Sequence, residues 1–229
     1  ANEFAKAGFC FLKFNFSFNG TTIESPCDFV DLDAFGKNNY CIELNDLGKI
    51  IDWSVENLSH IIDINSIFLI GHSRGGGIAI LKACEDVRIK KLVTWASISN
   101  LINRNSQKTI EEWKKKGVVF TLNGRTKQQM PLYYQFYETI QQNKQRLDII
   151  ANSGTLKIPY TIIHGKKDDA VNYSEAEQLK KCFPHAKLIS FENGNHTFGA
   201  KHPFDENNIE QDTIDLIDQS IGFLKEKAD

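Results

Sequence analysis

Gly71-His72-Ser73-Arg74-Gly75 sets a serine between two glycines, after a short apolar run at 66–70 and before a helical pattern at 78–85. A serine hydroxyl becomes a useful nucleophile only when it is exposed and a base can take its proton. A tight strand-to-helix turn supplies the exposure, since it lifts Oγ of Ser73 at the strand's carboxyl end. Small residues at Gly71 and Gly75 are expected to let neighbouring segments pass close to such a strained turn. The backbone N–H of Arg74, at the helix start, can then point at a developing oxyanion. A phosphate-binding loop fits less well: Gly77 is followed by Ile78 rather than Lys-Ser/Thr, and no G-x-G-x-x-G occurs here.

The base and its orienting carboxylate should sit at the carboxyl ends of later strands, where a doubly wound sheet gathers its ligands. One such strand ends at His164-Gly165 and leads into Lys166-Lys167-Asp168-Asp169. The next ends near Phe191 and leads into Gly194-Asn195-His196-Thr197-Phe198. The order serine, acid, histidine makes His196 the base and Asp168 the acid, with Asp169 its adjacent rival. His72 and His164 flank the site from strand ends and read as structural. His202 could line it, though a surface place suits it better, and His60 and His185 read as surface residues. No His-x-x-x-His and no His/Cys cluster suggests a metal, and no cofactor is called for.

These residues need strands and helices to carry them. Residues 1–7 read as the end of a helix closed by Gly8, and the aromatic-rich 9–16 as a mostly buried strand. Residues 46–60 form an amphipathic helical pattern. Apolar strands are expected at 66–70, 92–96, 159–165 and 186–191, with helices at 78–85, 174–181 and 210–225. That alternation implies an α/β architecture, a doubly wound parallel sheet with helices on both faces. The stretch 100–155 breaks the rhythm and is too long for an ordinary connection. It reads as a helical insertion, a lid over the sheet's carboxyl edge, with 1–99 and 156–229 forming the core. Trp113, Tyr133 and Tyr134 could wall an apolar substrate pocket there, or pack the insertion's own core. Lys114-Lys115-Lys116 reads as a solvated helix face.

Composition narrows the field. Across 229 residues, 27 Lys and Arg nearly balance 29 Asp and Glu, which leaves no electrostatic footprint for nucleic acid or anionic lipid. No apolar run approaches the roughly 20 residues of a membrane span. The five cysteines are scattered without a C-x-x-C pair, as suits small residues in a reducing, cytoplasmic setting. The partner expected is a small molecule; the oligomeric state is left open, a homodimer included.

Taken together the motifs resemble those of the α/β-hydrolase superfamily over nearly the whole chain. Gly71-His72-Ser73-Arg74-Gly75-Gly76 resembles its nucleophile elbow, and Gly194-Asn195-His196-Thr197-Phe198 its catalytic-histidine loop. His164-Gly165-Lys166-Lys167-Asp168-Asp169-Ala170-Val171 resembles its acid loop, H-G-x-x-D-x-x-V, which favours Asp168 over Asp169. The likeness is strongest to small bacterial esterases and to the hydrolase domain of S9-type peptidases. It implies a serine carboxylesterase working through a Ser73-His196-Asp168 triad on a small ester. The alternatives are an S9-type peptidase or amidase, and a non-catalytic binder of a small ligand. The family's His-Gly motif after its third strand has no counterpart before residue 71. The expectation is therefore that a central strand and a second oxyanion donor lie upstream of Ala1.

Overall fold

In the computed structural model, residues 1–201 and 208–226 are described. The strands are β1 (Ile67–His72), β2 (Ile89–Trp95), β3 (Val118–Leu122), β4 (Gln129–Tyr133), β5 (Tyr160–Gly165) and β6 (Lys187–Phe191). The chain divides into two compact units. The first holds Ala1–Leu12, Ser54–Leu101 and Ile149–Asp229; the second holds Lys13–Trp53 and Ile102–Asp148.

The first unit is built on a parallel sheet of order β1-β2-β5-β6. The strand order follows from its crossovers, because parallel neighbours need a helix or a long excursion between them. Arg74–Glu85 packs on β1 and β2, and Ser174–Cys182 on β5 and β6. Gln211–Lys225 packs on β5 and on the short helix Asn2–Lys6. One core cluster gathers Phe4, Val93, Ala96, Ile163, Phe198, Leu216, Phe223 and Leu224. β5 is buried along its whole length, Thr161 and His164 included, as suits a strand covered on both faces. Lys91 is also buried, and its ammonium donates to the carbonyls of Phe223, Leu224 and Glu226, closing the end of the last helix.

The expected strand at 9–16 does not form: no residue of that stretch joins a ladder, and among the described residues β1 has β2 alone as its sheet neighbour. The alternation of aromatic and polar residues is satisfied by ring packing instead. Phe11 lies 4.8 Å from Phe4 and Phe9 lies 6.2 Å from Phe68, ring centre to ring centre. A period of two says which side chains share a face, and a strand needs a hydrogen-bonding partner as well.

The second unit is not purely helical. Gln107–Lys116 and Gln135–Gln142 are helices, but β3 and β4 between them form an antiparallel hairpin. Residues 13–53 belong to the same unit, including Leu32–Lys37 and most of the long helix Tyr40–Leu58. Trp113 is 1% exposed and donates its ring N–H to the Leu132 carbonyl. Tyr40 and Phe136 meet edge to face at 4.7 Å. Lys114, Lys115 and Lys116 are exposed.

Candidate active site

Ser73 sits where β1 ends and the helix Arg74–Glu85 begins, with φ 55° and ψ −124°. A non-glycine residue at positive φ is strained by about 1–3 kcal/mol and persists only when its surroundings hold it. Here its N–H donates to the Trp95 carbonyl at 2.9 Å, and its carbonyl accepts from Gly76 at 3.0 Å. The hydroxyl does not cap the helix it precedes.

Glycines make this turn, though not quite those the sequence suggests. A Cβ on Gly71 would stand 2.5 Å from the Gly75 carbonyl oxygen and 2.7 Å from the Gly76 Cα. One on Gly76 would overlap Ser97. One on Gly75 would meet nothing within 4 Å, so the close approach rests on Gly71 and Gly76.

The acid and histidine loops follow β5 and β6, which are paired, so their carboxyl ends lie side by side. The two loops are also tied by backbone hydrogen bonds, Lys166 N–H to the Phe191 carbonyl at 2.8 Å and Lys167 N–H to the Gly194 carbonyl at 3.0 Å. Within that frame Asp168 is buried and Asp169 exposed. Oδ1 of Asp168 accepts from the N–H groups of Ala170 (2.9 Å) and Val171 (2.7 Å). Its Oδ2 lies 2.8 Å from Nδ1 of His196. A carboxylate accepts only, so Nδ1 carries the hydrogen and the opposite nitrogen, Nε2, is left as the basic one.

Asn195 shapes the turn that presents His196. Its Oδ1 accepts from Thr197 N–H at 3.1 Å and Gly199 N–H at 3.0 Å. Phe198 follows at φ 53°, buried against Phe191, and its carbonyl accepts from the Thr213 hydroxyl at 2.6 Å. The Asn195 role could have been read from its place before the histidine, since Asn side chains favour such turns. The Thr213 contact carries no local signal in the sequence.

His196 is linked to the serine turn through His72. Nε2 of His72 donates to the His196 carbonyl at 2.8 Å, and the two rings lie 4.7 Å apart. Among the described residues, Ser73 and His196 share no direct hydrogen bond. His164 is buried beside Asp168, while His60 and His185 are exposed; His202 lies outside the described residues. Among the described residues no group of three His, Cys, Asp or Glu is arranged to hold a metal, and no helix is long and apolar enough to cross a membrane. The pocket candidates all lie in the second unit. Beyond the Trp113 contact, the Tyr133 hydroxyl donates to Asp33 at 2.9 Å and Tyr134 lies 6.2 Å from the Trp113 ring. Each of these contacts packs that unit itself.

Comparison with known proteins places the fold. The chain is similar to a monoacylglycerol lipase of Paleococcus ferrophilus, with a TM-score of 0.60 at 14% identity, covering 82% of this chain and 76% of that one. It is likewise similar to mouse alpha/beta hydrolase domain-containing protein 10, with a TM-score of 0.56 at 16% identity over 82% and 70% of the two chains. With the parallel sheet described above, these likenesses give the chain the α/β-hydrolase fold. In sequence it is 25% identical over 170 residues to the uncharacterized peptidase YuxL of Bacillus subtilis (strain 168). That match takes in 70% of this chain and 23% of the relative's length. No protein-family model matches the chain.

Proposed function

We propose that this chain is a serine hydrolase that cleaves a small carboxylic ester through an acyl-enzyme. The observation that carries the reading is the 2.8 Å pairing of His196 with the buried Asp168, beside a serine turn at φ 55°. In this reading Nε2 of His196 takes the proton as Oγ of Ser73 attacks the ester carbonyl. Asp168 keeps the hydrogen on Nδ1 and stabilises the imidazolium that results. The Arg74 N–H serves as an oxyanion donor at the positive end of its helix. The alcohol leaves with the proton from His196. A water activated by the same nitrogen then releases the acid.

Amide cleavage is the second reading, favoured by the similarity to a Bacillus protein named as a peptidase. A binding role without chemistry is the third, and the preorganised acid and base argue against it. An assay of p-nitrophenyl acyl esters beside aminoacyl-naphthylamides separates the readings, with Ser73→Ala as the control. Faster ester turnover that disappears in the variant supports the esterase. Amide turnover that exceeds it moves the assignment to the peptidase, and equal rates in wild type and variant defeat both.

A further inference from the structure

His164 is fully buried at the end of β5, and the catalytic scheme above gives it nothing to do. Its Nε2 lies 2.9 Å from the Val171 carbonyl and 3.3 Å from Oδ2 of Asp168. Its Nδ1 is buried without a partner. A carbonyl can only accept, so the hydrogen of this ring is on Nε2. The bare nitrogen then faces the interior, where a lone pair without a partner costs less than a stranded N–H donor would.

This arrangement grips Val171 from both sides. Its N–H donates to Oδ1 of Asp168 at 2.7 Å, and its carbonyl accepts from His164. The acid loop is thereby closed into one hydrogen-bonded unit running from His164 through Val171 to Asp168 and on to His196. The hydrogen-bearing end of the His164 ring also faces Oδ2, the oxygen that His196 uses. Edge-to-face packing against Tyr173, at 5.9 Å, holds the ring in that plane.

We propose that His164 is a positioning residue: through Val171 it fixes the Asp168 carboxylate so that Oδ2 stays aimed at Nδ1 of His196. The inference rests on the triad reading for its effect on rate, and on geometry alone for the tautomer. The side chain of Gln places an amide N–H near the Nε2 position, whereas Asn reaches only as far as Nδ1. His164→Asn is therefore expected to lower kcat about 10- to 100-fold with KM little changed, the range for leaving the buried Val171 carbonyl without its donor. His164→Gln recovers most of that loss.

The test has two arms. Imidazole nitrogen–proton NMR on the wild-type protein should show the His164 hydrogen on Nε2, and a downfield His196 Nδ1–H that persists in His164→Gln and broadens or disappears in His164→Asn. A hydrogen on Nδ1 of His164, or a His196 signal identical in both variants, overturns the proposal. Kinetics of the two variants form the other arm, and equal kcat in Gln and Asn variants also overturns it. The NMR arm reads no turnover, so it holds or fails independently of whether Ser73 proves to be the nucleophile.

Discussion

Gly165 and Gly194 meet so closely that a side chain on Gly165 would overlap the Gly194 carbonyl. One glycine precedes the acid loop and the other precedes the histidine loop, so this contact sets the distance across which Asp168 and His196 pair. The 2.8 Å separation of those two side chains is thus prepared by backbone, two residues or more away from either.

Gly165→Ala is expected to force the two loops apart. Overpacking of this kind costs about 1–3 kcal/mol. Turnover should fall further than the stability loss explains, because the carboxylate and imidazole lose register. Gly222→Ala is the control: a Cβ there meets nothing within 4 Å, and the helix should gain about 0.5–1 kcal/mol. Thermal melts and ester kinetics on both variants check the pair of outcomes.

Asp168→Asn keeps the shape of the acid and removes its charge. Its amide would favour the wrong tautomer of His196, and kcat should fall by about four orders of magnitude. Asp169→Asn, at the exposed neighbouring position, should leave kcat unaltered and stability within about 0.5 kcal/mol. Steady-state assays of the two variants side by side distinguish the carboxylates that adjacency makes ambiguous in sequence.

Burial raises the pKa of Tyr160 well above its ordinary 10.0, against a smaller opposite effect of its hydrogen bond with Thr94. The unfolded chain therefore loses this proton near pH 10 while the folded one keeps it. Below that pH the phenol favours neither state. Above it the unfolded state binds fewer protons, so stability falls as pH rises, by up to about 1.4 kcal/mol per pH unit. In urea titrations from pH 9 to 11, Tyr160→Phe should lose midpoint more gradually than wild type. Parallel curves would contradict the assignment.

Lys91→Met should destabilise the first unit by about 1–3 kcal/mol, since carbonyls at the end of the helix Gln211–Lys225 lose their buried donor. Lys90→Met, exposed one position earlier, should change stability by less than about 0.5 kcal/mol. Chemical denaturation of both proteins measures the contrast.

The four sheet strands were legible because each holds adjacent apolar residues (Ile67 to Ile70, Leu92-Val93, Ile162-Ile163, Leu188-Ile189), and the helices because apolar positions recur between them at helical spacing. The contact between His196 and Asp168 was legible because both lie in loops that follow neighbouring strands, and Asp168 was set apart from Asp169 by the resemblance of its loop to H-G-x-x-D-x-x-V. Residues 9–16 misled, since alternation records facing and not pairing. The hairpin of β3 and β4 was hidden for the opposite reason. Pro131, opposite Phe120, removes a ladder donor, and six residues separate the strands, neither of which signals a tight turn. The part played by His164 was invisible as well. Its meaning lies in which nitrogen meets Val171, and no spacing in the chain encodes that.

The central claim is that Ser73 is a nucleophile activated by the His196–Asp168 pair. Its most direct test is covalent labelling of the intact protein by a fluorophosphonate, with the adduct mapped by peptide mass spectrometry. One adduct per chain is expected, on Ser73, absent in Ser73→Ala and formed far more slowly in His196→Ala. An adduct on another residue, or equal labelling of wild type and Ser73→Ala, would contradict the account.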